Sequence, residues 1–169
     1  MLHYRCLIIL LIAFCVLGIR GDTAPNFKLP DLQNKPVQLS ELLKQGPVLL
    51  DFWATWCKPC VKAFPKLEAL HKKYREQGLV VVGINQDGPR NQPKVKPFVH
   101  SLKITFSILI DSNNDVMRRL QVQNLPTSIL LAPDGAIVSR HVGYSEEGMK
   151  QLEAAIQALL PKTADENEP

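Results

Sequence analysis

Two short apolar runs with an amphipathic stretch between them limit what this chain can become more than any other feature. Residues 48–53 (VLLDFW), bounded by Gly46 and Pro47, and residues 79–85 (LVVVGIN) each read as a strand buried on both faces, the second the richer in β-branched residues. Between them Val61, Phe64, Leu67, Leu70 and Tyr74 recur at steps of three and four, the period of a helix with one apolar face, and Gly78 ends the stretch. Strand, helix and strand in this order form a βαβ unit, whose strands run parallel because a long crossover joins them.

The flanks extend that unit. Pro25, Pro30, Asn34 and Pro36 break residues 22–39, where Phe27, Leu29, Val37 and Leu39 fit the inward positions of a hairpin. Ser40 is placed to cap a brief helix through Leu43. After the βαβ unit come a loop (86–93), a helix with Val95, Phe98, Val99 and Leu102 inward, a strand at 107–110 and a helical turn at 116–120. Pro133-Asp134-Gly135 is a turn signal, so 128–131 and 137–141 pair as an antiparallel hairpin. Met149, Leu152, Ile156, Leu159 and Leu160 mark a last amphipathic helix, stopped at Pro161. The expected fold is α/β: a central mixed sheet, parallel in its βαβ half and antiparallel at the C-terminal hairpin, with helices on both faces.

Residues 1–21 stand apart from this domain. Residues 1–5 carry positive charge, and 6–19 are apolar apart from Gly18, a length that suits a signal-peptide core and is short for a membrane span. Gly21 is acceptable before a cleavage site, Arg20 is unusual there, and Phe14 is too large to precede a lipoprotein cysteine. The segment is read as a signal peptide or an N-terminal membrane anchor, and either exports the domain at 22–161. Residues 162–169 lack large apolar side chains and are expected to be disordered. The formal charge of +4 includes Arg5 and Arg20, and so weak an excess argues against nucleic acid as a partner.

With Cys6 and Cys15 in the targeting segment, the domain holds Cys57 and Cys60 alone. A pair so close staples nothing distant, which excludes a structural disulfide scaffold and leaves chemistry or metal. Trp56-Cys57-Lys58-Pro59-Cys60 falls where strand gives way to helix. Unpaired N–H groups and the helix dipole favour an anion there, and Lys58 adds positive charge, so Cys57 is the readier thiolate. Cys60, one turn on, can resolve a mixed disulfide, and Pro59 suits a first helical turn. Structural zinc takes four ligands, and His71 lies about 16 Å along the helix from Cys60 at about 1.5 Å per residue. A copper(I) site using both thiolates and His100 or His141 stays open; otherwise these histidines and Tyr144 read as structural or surface residues. Trp56 is expected to shield the disulfide and offer an apolar docking surface, and Trp53 to be core. Asp51, an acid inside an apolar strand, must be hydrogen-bonded or neutral, and burial would raise its pKa.

Ala24-Pro25-Asn26-Phe27, the run from Asp51 through Cys60, and Leu125-Pro126-Thr127 closely resemble the thioredoxin superfamily, and within it the exported TlpA/ResA-like branch. The resemblance implies a thioredoxin fold with an insertion in residues 86–106. It implies a cis-proline at Pro126 facing the disulfide, with Leu125 holding an extended substrate segment by its backbone and Thr127 beside it. Pro65 matches the proline that bends the active-site helix. Asp51 would relay a proton for Cys60, since Ala63 stands where many of the branch place a glutamate; Glu68 reads as a solvated helix charge. The implied activity is reduction of a partner protein's disulfide, with Trp56, Lys58 and Pro59 at the substrate face and no cofactor beyond the Cys57–Cys60 pair. Re-reduction by a membrane thiol donor, work in cytochrome c maturation, a monomeric state and a place in the bacterial periplasm or on the outer face of the cytoplasmic membrane go with it. An oxidant or isomerase of the same fold, a copper(I) carrier, and a non-catalytic binding module using the Pro126 groove are the alternatives.

Overall fold

A computed structural model of the chain describes residues 22–161; the readings of 1–21 and 162–169 lie outside the described residues. The elements in order are β1 (Lys28–Pro30), β2 (Pro36–Gln38), α1 (Leu39–Leu43), β3 (Val48–Trp53), α2 (Lys58–Tyr74), β4 (Val80–Asn85), α3 (Gln92–Ser101), β5 (Ser107–Ile110), α4 (Asp115–Arg119), β6 (Thr127–Leu131), β7 (Ile137–Val142) and α5 (Glu146–Leu159). Strands β1 and β2 form a two-stranded antiparallel sheet. The other five form the central mixed sheet in the order β5-β4-β3-β6-β7. As the long crossovers require, β3, β4 and β5 run parallel, while β6 and β7 form the antiparallel hairpin beside β3. Among the described residues no helix is long and apolar enough to cross a membrane.

Strand β3 is the middle strand and is buried along its whole length because both of its faces are covered. Val48, Leu50 and Phe52 project into a cluster with Val82, Ile84, Ile129 and Leu131, closed by Phe27, by Leu39 and Leu42 of α1 and by Val116 of α4. Leu49 and Trp53 project to the other face, under Phe64 and Leu67 of α2 and Leu152 and Ile156 of α5. Phe98 of α3 stacks on the Trp53 ring at 6.0 Å between centroids, so the expected inserted helix covers the strand that leads to the cysteines. Trp53 is fully buried, as a core residue should be.

The expected hairpin forms around Phe27 and Leu39, both buried, while Leu29 and Val37 are half-buried. Asp31 closes its turn by accepting the N–H groups of Gln33 and Lys35 at 2.7 and 2.9 Å. Ser40 does not cap the helix. Helix α1 starts two residues earlier than a Ser40 cap would set it, with Gln38 in the cap position and no side-chain cap bond, and the hairpin brings Asn26 close enough for its Oδ1 to accept the Ser40 N–H at 3.1 Å. A second correction concerns Glu68, which is not a solvated charge: it is 8% exposed. Its carboxylate accepts the N–H and hydroxyl of Thr105 at 2.9 and 2.6 Å and pairs with Lys72, tying α2 to the segment that enters β5. Burial pushes its pKa up, but the Thr105 donors and Lys72 outweigh that and hold it below the usual value.

Strand β7 is an edge strand whose side chains alternate between half-buried and exposed, with Val138, Arg140 and Val142 on the outside. Gly46, at φ 148°, lies so near the neighbouring chain that a Cβ there would meet the Gly78 carbonyl oxygen at 2.3 Å.

Gly83 faces Asp51 across the β3–β4 ladder, and a Cβ on it would come within 2.7 Å of Ile108 Cδ1 and 3.0 Å of Trp53 Nε1. Gly83→Ala is therefore expected to lower stability by roughly 1–3 kcal/mol through overpacking, read from chemical denaturation of the oxidised domain.

Candidate active site

The site is built where β3 ends. The chain leaves the sheet after Trp53, turns through Ala54, Thr55 and Trp56, and enters α2 with Cys57 as its N-cap. The Cys57 N–H donates to the Ala54 carbonyl at 3.1 Å, which closes the turn. Cys57 and Cys60 are joined by a disulfide with their Cα atoms 5.3 Å apart. The Cys60 N–H, one of the unpaired donors of the first helical turn, points at Cys57 Sγ from 3.3 Å. Cys57 is 4% exposed and Cys60 fully buried, whereas Trp56 is 64% exposed. Lys58 and Pro59 are exposed too, so the rim around the disulfide is one large apolar ring with a cation and a proline beside it.

The turn is held by a group that sequence reasoning missed. Asp87, fully buried, accepts the Thr55 N–H at 2.8 Å, the Thr55 hydroxyl at 2.7 Å and the Asn85 side-chain amide at 2.7 Å. Its own N–H returns to Asn85 Oδ1 at 3.2 Å. Parallel pairing sets Trp53 opposite Asn85, so the residues that follow each strand meet beyond its carboxyl end. The polar Asn85-Gln86-Asp87 directly after an apolar strand was the signal in the sequence.

The Leu125–Pro126 peptide bond is cis, as the resemblance implied. Phe52 pairs with Thr127, so Pro126 stands beside Trp53, at the end of β3 from which the cysteine turn departs. The Pro126 carbonyl accepts the Gly143 N–H at 2.8 Å, and the buried Thr127 hydroxyl donates to the Asn124 carbonyl at 2.7 Å, bracing the bend from inside.

Asp51 lies on the face of β3 that α2 covers, the face that also carries Cys60 and Ala63. It is fully buried. Its Oδ1 accepts the Ser128 hydroxyl at 2.8 Å, and its Oδ2 has no hydrogen-bond partner among the described residues. Burial pushes the carboxyl up to about 7, only partly opposed by the Ser128 bond. An acid that changes charge near neutral pH can both take and give a proton there. His100 is exposed on α3, Tyr144 donates its hydroxyl to Glu146, and His141 is half-buried on β7. Among the described residues no three His, Cys, Asp or Glu side chains gather in a group that could hold a metal ion.

The profile of the AhpC/TSA family matches residues 20–140. The chain belongs to the AhpC/TSA family. This AhpC/TSA protein is 37% identical over 141 residues to a thiol-disulfide oxidoreductase ResA of Bacillus cereus, covering 83% of its own chain and 79% of the relative. Its fold matches a putative thiol:disulfide interchange protein DsbE from Chlorobium tepidum with a TM-score of 0.76 and 33% identity, over 83% of this chain and 96% of that one. StoA from Bacillus subtilis matches with a TM-score of 0.66 and 25% identity, over 79% and 97% of the two chains. With its disulfide at a helix N-terminus and a cis-proline beside it, this member of the AhpC/TSA family is a thioredoxin-fold thiol–disulfide oxidoreductase.

The raised Asp51 pKa has a stability consequence. Below about pH 4 the carboxyl is protonated in both folded and unfolded chains and contributes nothing. Between the model-peptide value of 3.8 and about 7 the unfolded chain ionises while the folded one stays neutral, so stability falls as pH rises. About three pKa units at about 1.4 kcal/mol each amount to about 4 kcal/mol above pH 7. Asp51→Asn should therefore gain stability over the parent on going from pH 4 to pH 8, measured by denaturant titration of the oxidised forms; parallel pH profiles would contradict the buried neutral acid.

Proposed function

We propose that the protein is an exported dithiol reductant that opens disulfide bonds in partner proteins. The observation that carries this reading is the Cys57–Cys60 disulfide at the first turn of α2, over a sheet face that holds a fully buried carboxyl. In the reduced protein Cys57 is the thiolate, favoured by the Cys60 N–H at its sulfur, the positive end of the helix dipole and the charge of Lys58. It attacks one sulfur of the partner's disulfide and forms a mixed disulfide, and the first partner thiolate leaves. Cys60 passes its proton to the Asp51 carboxylate, attacks Cys57 Sγ and expels the second partner thiolate. Two electrons pass from the dithiol to the partner's disulfide, and the departing thiolates take up protons from water.

The partner segment lies against Trp56, Lys58 and Pro59 and along the bend at Pro126. Leu125 supports this reading: neither its backbone N–H nor its carbonyl enters a backbone hydrogen bond among the described residues. Thr127 contributes from inside by holding the bend. No cofactor beyond the two cysteines enters the cycle. Export rests on the charge and apolar pattern of residues 1–21, which act as signal peptide or anchor and place the domain in the bacterial periplasm or at the outer face of the cytoplasmic membrane. There the protein works as a monomer, a membrane thiol donor re-reduces it, and cytochrome c maturation is the context proposed.

Reduction potential separates this reading from its reverse. Equilibration of the domain with thiol buffers, followed by tryptophan fluorescence, is expected to give a value near or below about −250 mV; one above about −180 mV would make the protein an oxidant or isomerase. Cys60→Ala should accumulate mixed disulfides between Cys57 and its partners, seen as bands on non-reducing gels that thiol removes. Cys57→Ser should lose disulfide reduction to background. Retained biological function in Cys57→Ala would sink the catalytic reading in favour of a binding module.

A further inference from the structure

Asp51 and Cys60 are both fully buried, so a proton handed from one to the other has no direct way to water. During the resolving step the partner also covers the Cys57 side of the site. Yet the carboxyl must discharge once in every cycle, if Asp51 accepts the Cys60 proton as proposed above; the route that follows rests on that reading.

The sheet register places a chain of exchangeable groups beside it. Asp51 of β3 stands opposite Ser128 of β6, and Ser128 stands opposite His141 of β7. Directly opposed residues share one face, with Cβ atoms about 4.5–5.5 Å apart. Thus the three side chains form a row running from the middle of the sheet to its edge. The first link is made: Ser128 donates to Asp51 Oδ1 at 2.8 Å. At the other end His141 Nε2 is shielded from solvent and has no hydrogen-bond partner among the described residues. Both Ser128 and His141 line a cavity of about 300 Å³ between the β6–β7 hairpin and α5, whose wall also includes Arg140, Glu147, Met149 and Leu152. One water occupies about 30 Å³ of liquid, so the space admits several.

We propose that Ser128 and His141 form the proton route between Asp51 and the solvent in this cavity. A hydroxyl both accepts and donates, and an imidazole carries one nitrogen that accepts and one that donates, so each group fits its place in the row. After resolution the proton on Asp51 moves from its carboxyl oxygen to Ser128 Oγ. The hydroxyl's own proton passes, directly or through one water, to Nε2 of neutral His141. The imidazolium then releases its Nδ1 proton into the cavity, whose lining includes the charged residues Arg140 and Glu147. For each O–H or N–H bond formed one is broken, no electron moves, and one proton leaves for each Cys60 thiol consumed. On re-reduction the same row runs inward. Ser128 and His141 are positioning residues here, because neither touches the reacting sulfurs.

A conduit changes rates and leaves equilibria alone, and the test uses that difference. Single-turnover oxidation of the reduced protein by a disulfide-bonded peptide, followed by tryptophan fluorescence in weak buffer, is measured for the parent, Asp51→Asn, Ser128→Ala, His141→Ala and His141→Gln. His141→Ala is expected to slow the resolving step at least about tenfold, with the parent's reduction potential, and added imidazole should restore the rate. His141→Gln, which keeps a polar side chain but carries no proton, should be equally slow and serves if the alanine variant folds poorly. Ser128→Ala should be slow and unresponsive to imidazole. If both His141 variants match the parent while Asp51→Asn is slow, the route is wrong and the role of Asp51 stands. A slow His141→Ala that imidazole does not restore, or whose potential has moved, makes His141 structural and overturns the route. If Asp51→Asn is as fast as the parent, Asp51 is not the acceptor and the route falls with it.

Discussion

Everything in this molecule is arranged around burying β3 from both sides. Its six residues lie in the middle of a five-stranded sheet, with one layer of helices and the N-terminal hairpin on one face and α2, α3 and α5 on the other. A strand so enclosed has room for a polar group only if something answers it. Asp51 is answered by one hydroxyl and otherwise stays neutral over much of the accessible pH range. Its burial is unfavourable for folding, and the same burial gives the proposed proton relay an acid that changes charge near neutral pH.

Where β3 leaves the sheet, the cysteine turn is held by polar contacts rather than by packing. Asp87 fixes Thr55 through both its N–H and its hydroxyl, and the braced cis bend at Pro126 flanks the end of the same strand. The disulfide is therefore carried on a turn restrained from β4 and β6 together, while the exposed Trp56 ring beside it is free to meet a partner. That combination of a rigid frame and an open apolar rim suits a protein that must accept many local geometries of a partner chain while keeping its two sulfurs in place.

The sequence was legible wherever the signal was local. Apolar period marked β3, α2 and β4, the Pro133-Asp134-Gly135 turn marked the β6–β7 hairpin, and the two cysteines stood out by their spacing and their place before a helix. What escaped depends on partners far apart in the chain. Thr55 meets Asp87 across 32 positions and Glu68 meets Thr105 across 37, and only the strand register and the packing of α2 bring them together. Glu68 read as a solvated charge because its helical neighbours Lys66, Lys72 and Lys73 are polar; the group that answers it, Thr105, arrives from the end of the inserted segment. The Ser40 cap failed for the same reason, since Asn26 reaches that helix from across the hairpin.

The exposed side of β7 bears on how this protein survives at high concentration. An edge strand offers unpaired backbone groups to any passing strand, and apolar side chains along it make the offer stronger. At the opposite edge β5 is partly covered, because Asp31 of the hairpin bridges to Leu109. Along β7, Arg140 sits between Val138 and Val142, and the β6–β7 ladder shifts register between Leu130 and Leu131. A second copy adding itself in line would have to lay one guanidinium against another on a ribbon that is no longer flat. Charge and a local irregularity together act as a guard against fibre-like self-assembly along the part of β7 beyond Ile137, whose own N–H is already taken by the Asp22 carbonyl at 2.8 Å.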